Sequence, residues 1–335
     1  AQMVSTIPDL LPPEYAAELS QLQAEAPAMG WPFVKRRMRA ELGAAWQEKF
    51  ASFEKEAAHA ASLGQVHKAV LHDGRQVACK LQYPDMASAV EADIGQLKTM
   101  LGLFKRMDGS IDPSAMVDEI TDRLREELDY AREARHMALY GHMLAGREFV
   151  FVPEPVAELS TDRLLTMSWV SGQRLDAFED APQEVRNRIA EMLFWTWWGP
   201  FNAHAVIHGD PHLGNYQVTG EGTGLNLLDF GCIRIFPPQF VSGVVDLYRA
   251  ILADDFDAAY AAYEKWGFSG LSKELVEVLN IWARFIYGPL LDDRVRSVAD
   301  GVSPGEYGRK EAFQVRRLLK EKGPVKIPRE FVFMD

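Results

Sequence analysis

Two short stretches in the second half of the chain carry oxygen ligands at a spacing that suits phosphoryl transfer from a nucleotide. The first is His208-Gly209-Asp210-Pro211-His212-Leu213-Gly214-Asn215. The second, after a strand, a turn and a strand, is Leu228-Asp229-Phe230-Gly231. Such a reaction needs a carboxylate beside the attacking hydroxyl or water, and oxygen ligands for the Mg²⁺ that neutralises the phosphates. Asp210 is placed to face the acceptor, and Asn215 and Asp229 have the chemistry to hold metal. Asp-Pro or Asp-Phe-Gly alone is ordinary turn chemistry, so the pairing at this interval carries the reading.

Phosphates also need a fixed cation, supplied in a kinase by a lysine on a strand of an N-terminal hairpin. Val77-Ala78-Cys79-Lys80 offers it. Lys80 would neutralise the α and β phosphates if a helix carboxylate held it in place. That carboxylate is sought in Glu126-Glu127-Leu128-Asp129-Tyr130-Ala131-Arg132-Glu133, an acid-rich stretch read as helical, with Glu126, Asp129 and Glu133 on one face and Glu127 on the next. A solvated acidic face is the plainer alternative for this stretch taken alone.

The loop before Val66 is unusual. Glycines let a backbone approach phosphate, yet Ala57-Ala58-His59-Ala60-Ala61-Ser62-Leu63-Gly64-Gln65 holds one glycine. Alanine is the best helix former, so this loop is expected to be stiff and partly helical, with altered nucleotide handling as the consequence.

The elements that must position these residues follow from periodicity. Pro12 to Lys49 reads as two short helices, the second carrying Lys35, Arg36, Arg37 and Arg39, a cluster expected to be a solvated face paired with acids or a contact for acidic lipid headgroups. Val66, Lys68 and Val70 alternate, Asp73-Gly74 signals a tight turn, and Val77 to Leu81 completes a hairpin. Helical spacing spans Ala87 to Lys105 and Met116 to Leu144, and short apolar runs follow at Phe149 to Val152 and Leu164 to Val170. Beyond Leu175 the chain reads as helical except from Val206 to Phe236, where Gly220-Glu221-Gly222-Thr223-Gly224 separates two runs. The apolar stretch Ile189 to Ile207 is broken by Glu191, Gly199, Pro200, Asn202 and His204, which favours a buried helix over a bilayer span.

Composition bounds the partners. The 335 residues are 47% apolar and 25% charged, ordinary for a globular protein, and the net charge of -12 argues against a nucleic-acid partner. The two cysteines, Cys79 and Cys232, make no disulfide framework and point to a reducing compartment. Both adjoin the proposed motifs and are expected along the nucleotide cleft as small core-filling thiols. The first residues lack the pattern of an export signal.

The combination of motifs resembles the UbiB/AarF/ADCK family of atypical kinases. The resemblance rests on Ala60-Ala61-Ser62-Leu63-Gly64-Gln65-Val66-His67, Lys80-Leu81-Gln82-Tyr83-Pro84, Glu127-Leu128-Asp129-Tyr130 with Glu133-Ala134, and the two carboxylate motifs, spanning about Pro8 to Phe331. It implies an α+β, protein-kinase-like two-lobe fold: an N-terminal helical extension over 1–50, a small β-containing N-lobe with a helical insertion over 51–171, and a larger, mainly helical C-lobe over 172–335. It further implies ATP or ADP and Mg²⁺ as ligands. Lys80 becomes the phosphate lysine, Glu133 its ion-pair partner, Asp210 the catalytic-loop aspartate, and Asn215 and Asp229 the metal ligands. Ala60, Ala61, Ser62, Gly64 and Gln65 become the nucleotide-covering loop, and the hinge against adenine falls at Met167, Trp169 and Val170. Glu127 and Asp129 match a family-specific acidic pair facing the N-terminal extension.

The chain departs from the family pattern in places. Ala1-Gln2 matches the tail of an N-terminal Lys-any-Gly-Gln signature with Ala for Gly, His59 and Ser168 replace a usual Ala and Glu, and both ends look clipped. Members of the family resemble ATPases or unorthodox kinases that support ubiquinone biosynthesis. The resemblance therefore implies isoprenoid lipid or quinone-biosynthesis proteins as partners, and a cytoplasmic site peripheral to a membrane. Two other readings stand beside it: a small-molecule phosphotransferase of the aminoglycoside or choline kinase type, and a nucleotide-sensing module without turnover. The alanine-rich loop and Glu127-Leu128-Asp129-Tyr130 weigh against the former.

Overall fold

The computed structural model describes residues 29–61, 63–107, 111–112, 114–295, 308–322, 325–326 and 328. The first of the two N-terminal helices, the Ala1-Gln2 signature and Ser62 lie outside them. The chain divides into two compact units, one of Ala1–Glu91 with Arg123–Arg234 and one of Ala92–Asp122 with Ile235–Asp335.

The first unit opens with α1 (Trp31–Leu42), followed by β1 (Ser52–Phe53), β2 (His59–Ala61), β3 (Gly64–Val70) and β4 (Gln76–Gln82). The Asp73-Gly74 turn forms as its residues dictate. Gly74 takes φ 88°, open to glycine, and Asp73 Oδ1 accepts the Arg75 N–H at 3.0 Å. Next along the chain come α2 (Met86–Met107), the short β5 (Ile111–Asp112) and α3 (Ser114–Glu126), whose residues Ala92–Asp122 belong to the second unit, and then, back in the first, α4 (Tyr130–Leu144), β6 (Val150–Phe151) and β7 (Leu164–Ser168). The main sheet runs β1-β3-β4-β7, with β2 on the free end of β3 so that Ala60 pairs with Gln65 and Ala61 with Gly64.

Strand periodicity gives this sheet two faces. Val77, Cys79 and Leu81 of β4 turn to a core closed by Phe33, Val34 and Met38 of α1 with Trp46 and Phe50. Ala78, from the alternate register, joins a second core with Met137, Tyr140 and Leu144 of α4. Lys80 shares the parity of Ala78. Cys79 is therefore completely buried on the opposite side of the strand from Lys80, which corrects its expected place along the cleft. Burial pushes the Cys79 thiol up to about 12.

The alanine-rich segment is a strand, not partly a helix. Pairing with β3 satisfies its backbone in an extended form, and that tertiary gain overrides alanine's intrinsic preference. The acid-rich stretch is a second correction. The helix read through Met116 to Leu144 breaks at Glu127 to Asp129, because Asp129 caps α4 by accepting the Arg132 N–H at 2.8 Å. Glu126, Asp129 and Glu133 thus do not share one helix face.

The rest of the first unit frames two loops. β8 (Gln173–Arg174) precedes α5 (Gln183–His204), whose C-terminus is set by Ala205 in the left-handed conformation. β9 (Val206–His208) pairs with β12 (Ile233–Ile235), and β10 (Tyr216–Thr219) forms a hairpin with β11 (Gly224–Leu227). The segment 209–215 joins β9 to β10, and 228–232 joins β11 to β12. Pairing of β9 with β12 therefore brings both loops to one end of the strands.

In the second unit lie α6 (Pro238–Ala253), α7 (Phe256–Lys265), α8 (Lys273–Leu291) and α9 (Arg309–Lys322), and β13 (Val325–Lys326) pairs in parallel with β5. Phe240 stacks on Trp266 at 5.8 Å, and Tyr287 donates its hydroxyl to the Val244 carbonyl at 2.8 Å. Asp255 and Ser272 cap α7 and α8. The α+β class expected from the sequence holds. Among the described residues no helix is long and apolar enough to cross a membrane.

Candidate active site

Lys80 is the centre of the arrangement. Its Nζ lies 2.7 and 2.9 Å from the two carboxylate oxygens of Glu133, on α4, and 2.9 Å from Oδ2 of Asp229. The Lys80 and Glu133 side chains are 11% and 3% exposed, so the pair is shielded from water and held by geometry rather than by chance encounter. Burial opposes the Lys80 charge, but Asp229 and Glu133 outweigh it and hold the ammonium well above the usual lysine range. Burial likewise lifts Glu133 against the pull of Lys80. For Asp229 burial is overcome by Lys80 and by the Gly231 N–H, 2.9 Å from Oδ1, and its carboxyl stays below the ordinary value.

The two loops are tied together by His208. Its Nδ1 accepts the Asp210 N–H at 3.3 Å, which leaves Nε2–H to donate to the Asp229 carbonyl at 2.7 Å. The Trp197 indole donates to the His208 carbonyl at 2.9 Å, and the Gly209 N–H to the Cys232 carbonyl at 2.6 Å. Phe230 is fully buried, its ring against Tyr140, and its carbonyl lies 3.2 Å from Nδ1 of His136. This anchoring was not singled out in the sequence, although His208 stands two residues before Asp210.

Asn215 completes the loop. Its amide nitrogen donates to the Asp210 carbonyl at 3.0 Å and to Asp210 Oδ2 at 2.9 Å. The amide oxygen is thereby oriented away from Asp210 as the group left to bind a cation. Glu127 adds charge of the same sign. Its carboxyl is pushed up to about 7, first by burial and then by Asp229, with Asp210 and Glu133 contributing. Four carboxylates thus share one electrostatic neighbourhood with one buried ammonium.

That donor set fits Mg²⁺. The ion takes hard oxygen ligands, usually one or two from protein and the rest from water and substrate phosphate. Among the described residues no three His, Cys, Asp or Glu side chains group to hold a metal by themselves.

The other expected residues have partners of their own. Gln65 is completely buried and its amide is committed: Oε1 accepts the Met29 N–H at 2.7 Å, and Nε2 faces the Met29 carbonyl at 3.0 Å and His67 Nε2 at 2.7 Å. Ala60 and Ala61 are strand residues in the hairpin, and a Cβ on Gly64 would run into the Leu81 carbonyl. Asp129 is a helix cap, and Glu126 pairs with Arg123 and Arg132. In the expected hinge Met167 is buried and Val170 partly so. The Trp169 N–H donates to the Gln76 carbonyl at 2.9 Å, and its ring stacks on His59 at 6.2 Å. A cavity of about 320 Å³ opens beside Gln76, Val77, Ser168 and Trp169; Lys80, Asp210 and Asp229 do not line it. Of the early basic cluster, Arg37 turns inward to Glu41 at 3.2 Å and to the Gln82 carbonyl, while Lys35, Arg36 and Arg39 are exposed.

Comparison with known proteins gives a family match. The ABC1 atypical kinase-like domain matches residues 21–263. The chain is 35% identical over 252 residues to the mitochondrial atypical kinase coq-8 of Caenorhabditis elegans, covering 74% of this chain and 33% of that protein. It is 32% identical over 277 residues to AarF domain-containing protein kinase 1 of Mus musculus, covering 81% and 53%. The chain therefore spans about a third to a half of the length of these curated relatives. Among solved structures it is similar to that of the Rv3197-erythromycin complex from Mycobacterium tuberculosis, with a TM-score of 0.60 and 24% identity over 99% of this chain and 88% of that one. A likeness at that identity speaks for the fold alone.

Proposed function

Because this chain belongs to the ABC1 family of atypical kinase-like domains, we propose that it binds ATP or ADP with Mg²⁺ and acts as an atypical kinase or ATPase in ubiquinone or other isoprenoid-lipid metabolism. The observation that carries the reading is the buried Lys80 ammonium held between Glu133 and Asp229. A strand lysine, a helix carboxylate and the Asp-Phe-Gly aspartate come from three distant parts of the chain, and a phosphate-binding site is the chemistry that needs them together.

In this reading Lys80 is pre-oriented by Glu133 to meet the α and β phosphates, and it releases Asp229 as they arrive. Asp229 and the Asn215 amide oxygen would hold Mg²⁺, which when bound neutralises phosphate charge. Asp210 faces the acceptor hydroxyl or water. His208 keeps Asp210 and the Asp229 backbone in register through its two ring nitrogens, and this fixes their spacing before the nucleotide enters. The alanine-rich strand covers the nucleotide less closely than a glycine-rich turn, because each Cβ holds the backbone off the phosphates. The resemblance to the UbiB/AarF/ADCK family, with relatives named atypical kinase coq-8 and AarF domain-containing protein kinase 1, supports the lipid assignment, and the reading puts the protein at a membrane surface.

The test is phosphate release from ATP and Mg²⁺, with and without membranes or quinone precursors, for the native chain and Asp229→Asn. Mg²⁺-dependent turnover that rises with lipid and falls roughly 100-fold or more in the variant is the expected result. Absence of both nucleotide binding and turnover in the native chain would sink the reading. Transfer to an aminoglycoside or choline would move it to the small-molecule phosphotransferases.

A further inference from the structure

Tyr130 holds a buried donor that finds no acceptor among the described residues. It is the first residue of α4 and is 1% exposed, and its hydroxyl has no hydrogen-bond partner among the described residues. Buried polar atoms in folded proteins are nearly always satisfied, so each exception asks for a reason. The Tyr83 and Tyr140 hydroxyls share this condition, and their surroundings set them apart. Tyr140 sits in the core against the Phe230 and His208 rings, and Tyr83 packs on Phe33 with the core on the other face of the sheet.

Tyr130 is placed differently. It precedes Glu133 by three residues and so lies on the same side of α4 one turn earlier. Lys80 Nζ stands over its ring, 5.2 Å from the centroid. Its hydroxyl would be 3.0 Å from a Cβ built on Gly64, the residue that begins β3 directly after the alanine-rich connection. The phenol therefore sits under the root of that hairpin, beside the ammonium expected to bind phosphate. Burial pushes the phenol above its ordinary value, against the pull of Lys80, so the oxygen keeps its proton and acts as a donor.

We propose that the Tyr130 hydroxyl is a phosphate-binding group, donating a hydrogen bond to a polyphosphate oxygen of a nucleoside di- or triphosphate held between Lys80 and the alanine-rich hairpin. The inference rests on the nucleotide reading above and adds to it a neutral donor on the helix that carries Glu133. A neutral donor suits this place. It contributes a hydrogen bond to an anion without adding a second positive charge to compete with Lys80 for Glu133.

Tyr130→Phe removes one oxygen and keeps the ring. Titration calorimetry with MgATP and MgADP, paired with melting of the nucleotide-free chain, tests the assignment. The expected result is affinity weakened about tenfold for both nucleotides, as for a lost hydrogen bond to a charged group. The melting temperature should stay the same or rise, since an unsatisfied hydroxyl is gone. Affinity within about threefold of native would overturn the proposal, and so would weakening accompanied by a lowered melting temperature, which would assign the residue to packing. Failure of the native chain to bind either nucleotide would remove the underlying reading as well, a result distinct from the other two.

Discussion

Replacing Glu127 by Gln should stabilise the nucleotide-free chain at neutral and alkaline pH and leave it nearly unchanged in acid. The Glu127 carboxyl is pushed from 4.5 to about 7 by burial and by the charge of Asp229. A group raised in this way holds its proton in the folded chain between those two values and loses it in the unfolded one, so its contribution to stability is complete below pH 4.5 and is lost as pH rises through 7. The gap between the two values, at about 1.4 kcal/mol per pH unit, comes to about 3 kcal/mol. Glu127 is partly open to solvent, and that screening reduces the expected difference to about 1–3 kcal/mol. For a chain of this size such a gain raises the melting temperature by roughly 1–4 °C. Thermal melts of both proteins from pH 4.5 to pH 8.5, without nucleotide and with a chelator, should show the two curves converging in acid and parting through neutrality. A constant difference across that range, or a native chain that becomes steadily more stable toward pH 8, would refute the reasoning.

The remaining predictions concern Lys80 and the buried thiol. Lys80→Ala leaves Glu133 and Asp229 facing each other without a cation and should cost about 3–5 kcal/mol in urea unfolding; Lys80→Met with Glu133→Leu should recover most of that stability while nucleotide binding, followed by calorimetry, stays lost. Full recovery of binding in the double variant would show that the ion pair is not the phosphate site. Cys79, completely buried with its thiol pushed up to about 12, should resist a disulfide reagent at pH 8 in the native chain and react once urea unfolds it; rapid native-state labelling, read by mass spectrometry at that residue, would contradict its placement.

Much of this site was legible because its parts are short motifs whose chemistry is local. Asp210, Asn215 and Asp229 lie within loops whose strand and turn signals were plain, and Lys80 followed from hairpin alternation. Glu133 was harder. Four acids competed for the role, and periodicity treated 116–144 as one helix, because the Asp129 cap that ends it depends on a backbone break that apolar spacing does not report. Gln65 looked like a loop residue beside phosphate, and only the folded chain shows its amide turned to Met29. Adjacency to Lys80 does not bring Cys79 to the same site, because neighbours on a strand point to opposite faces. For the alanine-rich segment the reason is complementary: helix propensity is local, and the strand partner that overrides it is not.

The Gln65 amide has a mechanical consequence. By gripping Met29 through both its oxygen and its nitrogen, it staples the chain entering α1 to the base of the alanine-rich hairpin. His67 sets the orientation of that staple, since a ring accepting at Nε2 and donating from Nδ1 to the Glu54 carbonyl permits only one direction for the amide. The hairpin is therefore not a free flap: a pull on Met29 is passed through this amide to the first residues of β3.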